Sequence, residues 1–269
     1  MNPSLTVILP TYKEAENLRK LIPELLLVWD QKVISKKPSS FEIIVVDDDS
    51  NDGTEELVID LKRKWKNISV IVRKTERGLS SAVLEGIKNS TKDICLVMDS
   101  DFQHPPDVIP PMFIRFLEPE VVFVAGKRKQ NVEWPLHRRI MSSCASAVAL
   151  PLSANLCSDP MTGLFAVSRS TVFSQIGSIS PMGFKIALEI LIKCGITRNQ
   201  CAEVEYQFGV RSLGESKLDH KVMVYYVLHL CSLYVFKLRL FVVLIIRSIF
   251  ILLTGVRNFF SSILLHSKE

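Results

Sequence analysis

The sequence predicts an α/β fold built on a mostly parallel central sheet and followed by an apolar C-terminal membrane segment. Three observations predict it. Short apolar runs at residues 5–9, 41–46, 68–72, 94–98 and 121–125 have the length and composition of buried strands. Segments with helical periodicity separate them, the alternation that builds a parallel sheet. Finally, the composition changes near Asp219: before it the chain reads as an ordinary α/β protein, and residues 222–265 are dominated by Val, Leu, Ile, Phe and Tyr.

Residues 5–9 form the first strand, and residues 14–28 follow as a helix with Leu18, Leu21, Ile22, Leu25 and Leu26 on one face. The second strand, 41–46, leads through Asp52-Gly53-Thr54, a turn and helix cap, into a helix over 54–65. A third strand at 68–72 and a helix over 80–88 precede the fourth strand, 94–98, and the fifth, 121–125. Ser158 to Gly163 reads as a turn, and residues 183–194 as a helix. Neither an internal repeat nor a low-complexity linker is visible. The expected organisation is a catalytic domain over 1–219, an amphipathic interface helix over 220–239, and a transmembrane anchor with its tail over 240–269.

Composition narrows the function. The 269 residues carry 48% apolar and 23% charged side chains with a net charge of +5, enough for one substantial core with an apolar excess. The modest basic balance suits phosphate or membrane-surface chemistry and not nucleic-acid binding. Six cysteines have no pair closer than seven residues, which excludes a CxxC zinc site or compact disulfide framework and fits a reducing compartment. No basic region followed by a long apolar run opens the chain, so no signal peptide is expected.

The chemistry concentrates where strands end. Thr11 to Glu14 follow the first, Asp47 to Asp49 the second, Asp99 to Asp101 the fourth, and Lys127 with Arg128 the fifth, so all gather on one rim of the sheet, where ligands bind in open α/β folds. Alternation along extended chain would turn Asp99 and Asp101 the same way, with Gln103 continuing the series. Two carboxylates and an amide oxygen suit Mg²⁺ or Mn²⁺, which are held by one or two carboxylates plus substrate phosphates. His104, backed by Pro105 and Pro106, is expected to support a turn rather than to transfer protons.

Seven motifs in order, PTYKEAENL (10–18), VVDDDSNDGT (45–54), RGLSSAV (77–83), DSDFQHPPD (99–107), GKR (126–128), SDPMTG (158–163) and FGVRSLGESKL (208–218), make the chain similar to the dolichol-phosphate mannose synthases. These are inverting family 2 glycosyltransferases with the nucleotide-sugar-binding GT-A fold. The resemblance implies that Pro10, Tyr12, Glu14 and Asp47 hold the guanosine of GDP-mannose. It places Mg²⁺ or Mn²⁺ on Asp99, Asp101 and Gln103, with Ser100 between them. Arg128, Arg211 and Lys217 would cage the phosphates, and Arg138 and Ser142 would meet the phosphate of dolichyl phosphate. It also implies a role in protein glycosylation and GPI-anchor pathways, and admits small membrane accessory subunits as partners. Asp49 and Ser100 depart from the usual pattern, leaving open which of Asp47 and Asp48 faces the nucleotide. Two other readings compete: a dolichyl-phosphate glucose synthase would share every phosphate ligand and be separated by donor competition, whereas a non-catalytic membrane scaffold has no chemical need for the full set.

The tail carries its own expectation. Thirteen of the residues 240–256 are strongly apolar and contribute roughly −4 to −8 kcal/mol to insertion, against about +2.5 to +3.5 for a central Arg such as Arg247. Insertion therefore wins. Lys237 and Arg239 just before this run place the catalytic domain on the cytosolic face of the endoplasmic reticulum membrane, with membrane lipid as a partner.

Overall fold

The structure, a computed structural model, describes residues 2–30, 36–129, 149, 151–153, 156–180, 183, 185–209 and 220–266. Two compact units divide it, Met1–Tyr226 and Val227–Glu269.

In the first unit, seven strands, β1 (Leu5–Thr11), β2 (Phe41–Asp47), β3 (Ile68–Val72), β4 (Ile94–Val97), β5 (Phe123–Arg128), β6 (Phe165–Ser168) and β7 (Cys201–Tyr206), form one sheet in the order β3-β2-β1-β4-β6-β5-β7. Every pairing is parallel except those of β6, which runs antiparallel between β4 and β5. The five strands read from the sequence are all present. The two it missed gave weaker signals: β6 is four residues directly after a turn, and β7 (CAEVEY) has no continuous apolar run but alternates buried Ala202, Val204 and Tyr206 with more open positions.

Alternating side chains bury both faces of the sheet. Leu5, Val7 and Leu9 of β1 join Ile43, Val45 and Leu96 against helix α1 (Ala15–Leu27), while Ile8 joins Ile44, Val46, Cys95 and Val97 against helix α3 (Leu79–Asn89). Helix α2 (Thr54–Lys64) starts after Gly53, whose φ of +88° only glycine adopts without strain. Asp52 receives the N–H and hydroxyl of Thr54 at 3.1 and 2.7 Å with one oxygen and the N–H of Ala15 at 3.1 Å with the other. One carboxylate thus caps two helices. Burial alone would raise the Asp52 pKa, but these donated hydrogen bonds outweigh it and the net direction is down. Further helices among the described residues include α4 (Ile109–Phe116), α5 (Arg169–Phe173) and α6 (Ile186–Lys193).

The register of the sheet fixes what shares the rim. Thr11 lies opposite Asp47, Asp47 opposite Val72, Val97 opposite Phe165, and Arg128 opposite Tyr206.

Helix α7 (His220–His266) runs continuously from the first unit into the second, with no break between the expected interface helix and anchor. Among the described residues, Val224–Ser248 is the stretch long and apolar enough to cross a bilayer. Its 25 residues rise about 37 Å, against a hydrocarbon core of about 30 Å. It starts earlier than residue 240 and takes in Lys237, Arg239 and Arg247. Val224, Leu228, Leu238, Phe241, Val243 and Ile246 are all exposed, a contiguous apolar surface that water does not favour.

Candidate active site

The acidic pair is set by a turn. β4 ends at Val97; Met98 still donates to Ile8 O at 3.2 Å, and beyond it the chain leaves the extended form. Asp101 accepts the Gln103 N–H at 3.0 Å, and Phe102 takes a left-handed φ of +66°. The alternation expected to carry Gln103 into line with the two aspartates therefore stops. Gln103 is held by its backbone instead: its carbonyl accepts the Gly209 N–H at 2.9 Å. Ser100 is buried and donates to Pro10 O at 3.3 Å, with Thr11 Oγ1 3.4 Å from its hydroxyl, so the motif is stitched to the end of β1.

His104 is buried, and its Nδ1 accepts the Asp99 N–H at 2.9 Å. Its proton accordingly sits on Nε2. Burial pushes the imidazole pKa down even though Asp99 and Asp101 pull the other way. The 3.7 Å approach of Nδ1 to Asp99 Oδ2 is thus a contact with a neutral ring and not an ion pair. Tyr206 and Phe208 pack edge-on to the ring, with centroids at 5.5 and 5.9 Å.

Opposite the acidic motif stands Arg128, the last residue of β5. Its Nη2 and Nε donate to Asp159 Oδ2 at 2.9 and 3.3 Å, and its guanidinium lies 5.4 Å from the Phe208 ring centroid. Lys185 donates to Met161 O at 3.2 Å in the same neighbourhood. Burial lowers the Lys185 pKa, the carboxylates of Asp159 and Asp99 counter this, and Arg128 adds to it. Burial likewise raises the Tyr206 phenol. Asp159 and Lys185 had no assigned role in the sequence; an Arg-Asp pair separated by some thirty residues leaves no local signal.

The β1 and β2 ends form the other half. Tyr12 has the Lys13 ammonium and the Arg77 guanidinium each 5.5 Å from its ring centroid. Glu14 is buried and accepts from Asn17 at 2.6 Å. Asp47 is buried with its carboxylate on the Ser50 N–H (3.0 Å) and hydroxyl; burial raises its pKa, and the Ser50 hydrogen bonds only partly offset that. Asp48 is committed elsewhere: it accepts from Arg73 Nε at 2.8 Å, from Arg73 Nη2, and from the Gly78 N–H at 2.7 Å. Asp49 meets exposed Arg77 at 3.3 Å. Arg138, Ser142, Arg211 and Lys217 lie outside the described residues.

Two glycines press on the site. A Cβ at Gly163 would stand 3.3 Å from His104 Cε1 and 3.4 Å from Asp99 Oδ2, and one at Gly209 would stand 2.6 Å from the Phe102 carbonyl oxygen. The second has no side chain to give way. Gly209→Ala is expected to cost about 1–3 kcal/mol and to reduce activity with it, checked by thermal unfolding alongside turnover.

Among the described residues no cluster of three His, Cys, Asp or Glu side chains could hold a metal ion by itself. The donor set nevertheless fits one kind of ion. The His104 Nδ1 lone pair is already used, leaving oxygen ligands from Asp99 and Asp101, the arrangement in which Mg²⁺ or Mn²⁺ is shared with substrate phosphates.

The comparisons with known proteins agree with this geometry. Residues 6–174 match the model for glycosyl transferase family 2. The chain is 41% identical over 240 residues to the dolichol-phosphate mannosyltransferase of Mycosarcoma maydis, covering 87% of this chain and 80% of that protein. It is 38% identical over 246 residues to the dolichol-phosphate mannosyltransferase of Saccharomyces cerevisiae, covering 88% and 89%. The fold resembles glucosyl-3-phosphoglycerate synthase of Mycobacterium tuberculosis, solved with Mn²⁺, UDP-glucose and phosphoglyceric acid, at a TM-score of 0.61 and 20% identity over 86% of this chain and 80% of that one. With a family model over most of the chain and relatives matched along 80% and 89% of their length, this protein belongs to glycosyl transferase family 2 and, within it, to the dolichol-phosphate mannosyltransferases.

Proposed function

We propose that this chain transfers mannose from GDP-mannose to dolichyl phosphate with inversion, giving dolichyl β-D-mannosyl phosphate. The observation that carries the reading is the rim itself, where Asp99, Asp101 and Arg128 all act electrostatically on His104, and Asp99 and Arg128 on Lys185, in a chain whose two fungal relatives are named dolichol-phosphate mannosyltransferases. Tyr12, Glu14 and Asp47 at the ends of β1 and β2 form the nucleoside side. Asp99 and Asp101 would hold Mg²⁺ or Mn²⁺, with Gln103 from the same turn; when bound, the ion neutralises charge that develops on the leaving diphosphate.

No catalytic base is needed. A phosphate monoester has a second pKa of about 6 and is mostly ionised at neutral pH, so its oxygen attacks the anomeric carbon directly. A carbon–oxygen bond forms to the acceptor phosphate as the bond to GDP breaks, and attack opposite GDP converts the α linkage to β. Arg128 is suited to holding phosphate because its planar fork binds two oxygens at once; Asp159 keeps that fork at the rim. His104 offers no nucleophile to this chemistry, because its Nδ1 lone pair is taken by the Asp99 N–H and its Nε2 carries the proton. The test is incubation of purified protein with labelled GDP-mannose and dolichyl phosphate, followed by organic extraction. Labelled lipid that disappears with chelator is the expected result; equal use of UDP-glucose, or full activity in chelator, would overturn the reading.

Arg211 and Lys217 carry over as phosphate ligands through the FGVRSLGESKL motif. Lys217→Ala is expected to lower turnover far more than it lowers stability, read from turnover and unfolding temperature on the same preparation. Unchanged turnover would make that segment structural only.

The apolar helix α7 supports membrane anchoring, and a span that begins at Leu240, with Lys237 and Arg239 on its flank and not inside it, would support a cytosolic catalytic unit at the endoplasmic reticulum. The sequons at Asn67 and Asn89 should then remain unglycosylated in native membranes; a glycan at either would place the domain in the lumen.

A further inference from the structure

The sheet stops supplying hydrogen-bond partners one residue before the acidic pair. Met98 gives its N–H to Ile8 O, and the next donor, the Asp99 N–H, is taken by a side chain, His104 Nδ1 at 2.9 Å. The left-handed Phe102 turns the chain back so that residue 104 can reach residue 99. The ring is held on three sides: Tyr206 and Phe208 at 5.5 and 5.9 Å, and Gly163, where even a methyl group would come within 3.3 Å of Cε1. So much packing around one acceptor atom exceeds what a solvent-filled turn requires.

We propose that His104 is a positioning residue for the divalent-cation site: by accepting the Asp99 N–H it fixes the peptide from which the Asp99 carboxylate is aimed. This rests on the proposed metal-dependent reaction and adds a residue to it. An N–H in this part-buried place without an acceptor is costly, so without the imidazole the peptide would rotate toward another partner and carry the carboxylate with it. Groups that orient a metal ligand typically change metal affinity by 10–100-fold when replaced.

Two substitutions separate this role from ordinary packing. His104→Asn places an amide oxygen where Nδ1 stood, whereas the longer side chain of His104→Gln carries its amide out to the Nε2 position. Both changes remove the aromatic contacts with Tyr206 and Phe208. Purified full-length protein in detergent is titrated with Mn²⁺ in the presence of GDP, following loss of the free-ion electron paramagnetic resonance signal, with unfolding temperature recorded for each variant. His104→Gln is expected to weaken Mn²⁺ binding about 10–100-fold, and His104→Asn to stay close to wild type. Should His104→Gln fail to fold, His104→Asn decides alone, because near-native Mn²⁺ affinity without the aromatic ring supports the acceptor role. Equal affinity in all three proteins, or an Asn variant as weak as the Gln variant, overturns the inference. Absence of GDP-dependent Mn²⁺ binding in the wild type would instead overturn the metal reading on which it rests.

Discussion

Asp101→Asn is expected to lower turnover on the order of 10³-fold while leaving the protein folded. The side chain is buried at the rim, and one of its oxygens accepts the Gln103 N–H at 3.0 Å. Asparagine retains an oxygen for that hydrogen bond, so the turn closes as before. What disappears is the negative charge that would hold a divalent ion against the donor diphosphate, and a metal contributes several kcal/mol of charge stabilisation in such a reaction. Turnover measured with labelled GDP-mannose, together with an unfolding temperature on the same sample, separates chemistry from folding. A variant as active as wild type would remove Asp101 from the site.

The largest effect on stability is expected one strand away. Asp48→Ala leaves the Arg73 guanidinium without its carboxylate at a place where the two side chains are only 10% and 7% exposed, and it strips the Gly78 N–H of its acceptor. Removing one partner of a buried pair costs about 3–5 kcal/mol, or roughly 6–20 °C of unfolding temperature for a domain of this size. The carboxylate ties together the end of β2, the residue after β3 and the start of α3, so its loss loosens three elements at once. Asp48→Asn should cost less, since it still accepts from Gly78. An unfolding temperature within a degree or two of wild type for Asp48→Ala would show the pair to be dispensable.

These two residues illustrate what the sequence could and could not disclose. Asp101 was legible because its neighbours are: a buried strand, a pair of acids and a proline turn occupy consecutive positions. For Asp47, Asp48 and Asp49 the chain offers three identical side chains in a row, and no periodicity says which meets Arg73, since that partner arrives from another strand. The same holds for Arg128. Its place after a strand could be read, but Asp159 and Lys185 reach it only through tertiary packing. Helix bounds agreed to within about three residues because apolar spacing and the Asp52 cap are local. β6 and β7 escaped because four residues after a turn, or a six-residue alternation of Ala202, Val204 and Tyr206 with Glu203 and Glu205, do not stand out without their neighbours in the sheet. The turn before Gln103 escaped for a related reason: a left-handed Phe102 ends the extended chain, and nothing in a phenylalanine announces that conformation.

The register of the sheet places every described ligand candidate at or beyond the last residues of a parallel strand, while the strand interiors carry mainly packing side chains. Damage to this molecule should therefore come in two separable kinds. A change such as Leu96 to a smaller residue acts on how many molecules are folded, and a loss of 1–2 kcal/mol can alter cellular abundance several-fold. The molecules that do fold would work at full speed. A change at Asp99 or Arg128 leaves the number of molecules alone and slows each one. Inherited or engineered variants of this chain can accordingly be sorted by dividing activity by protein amount, and only the first kind would be rescued by lower temperature or a stabilising ligand.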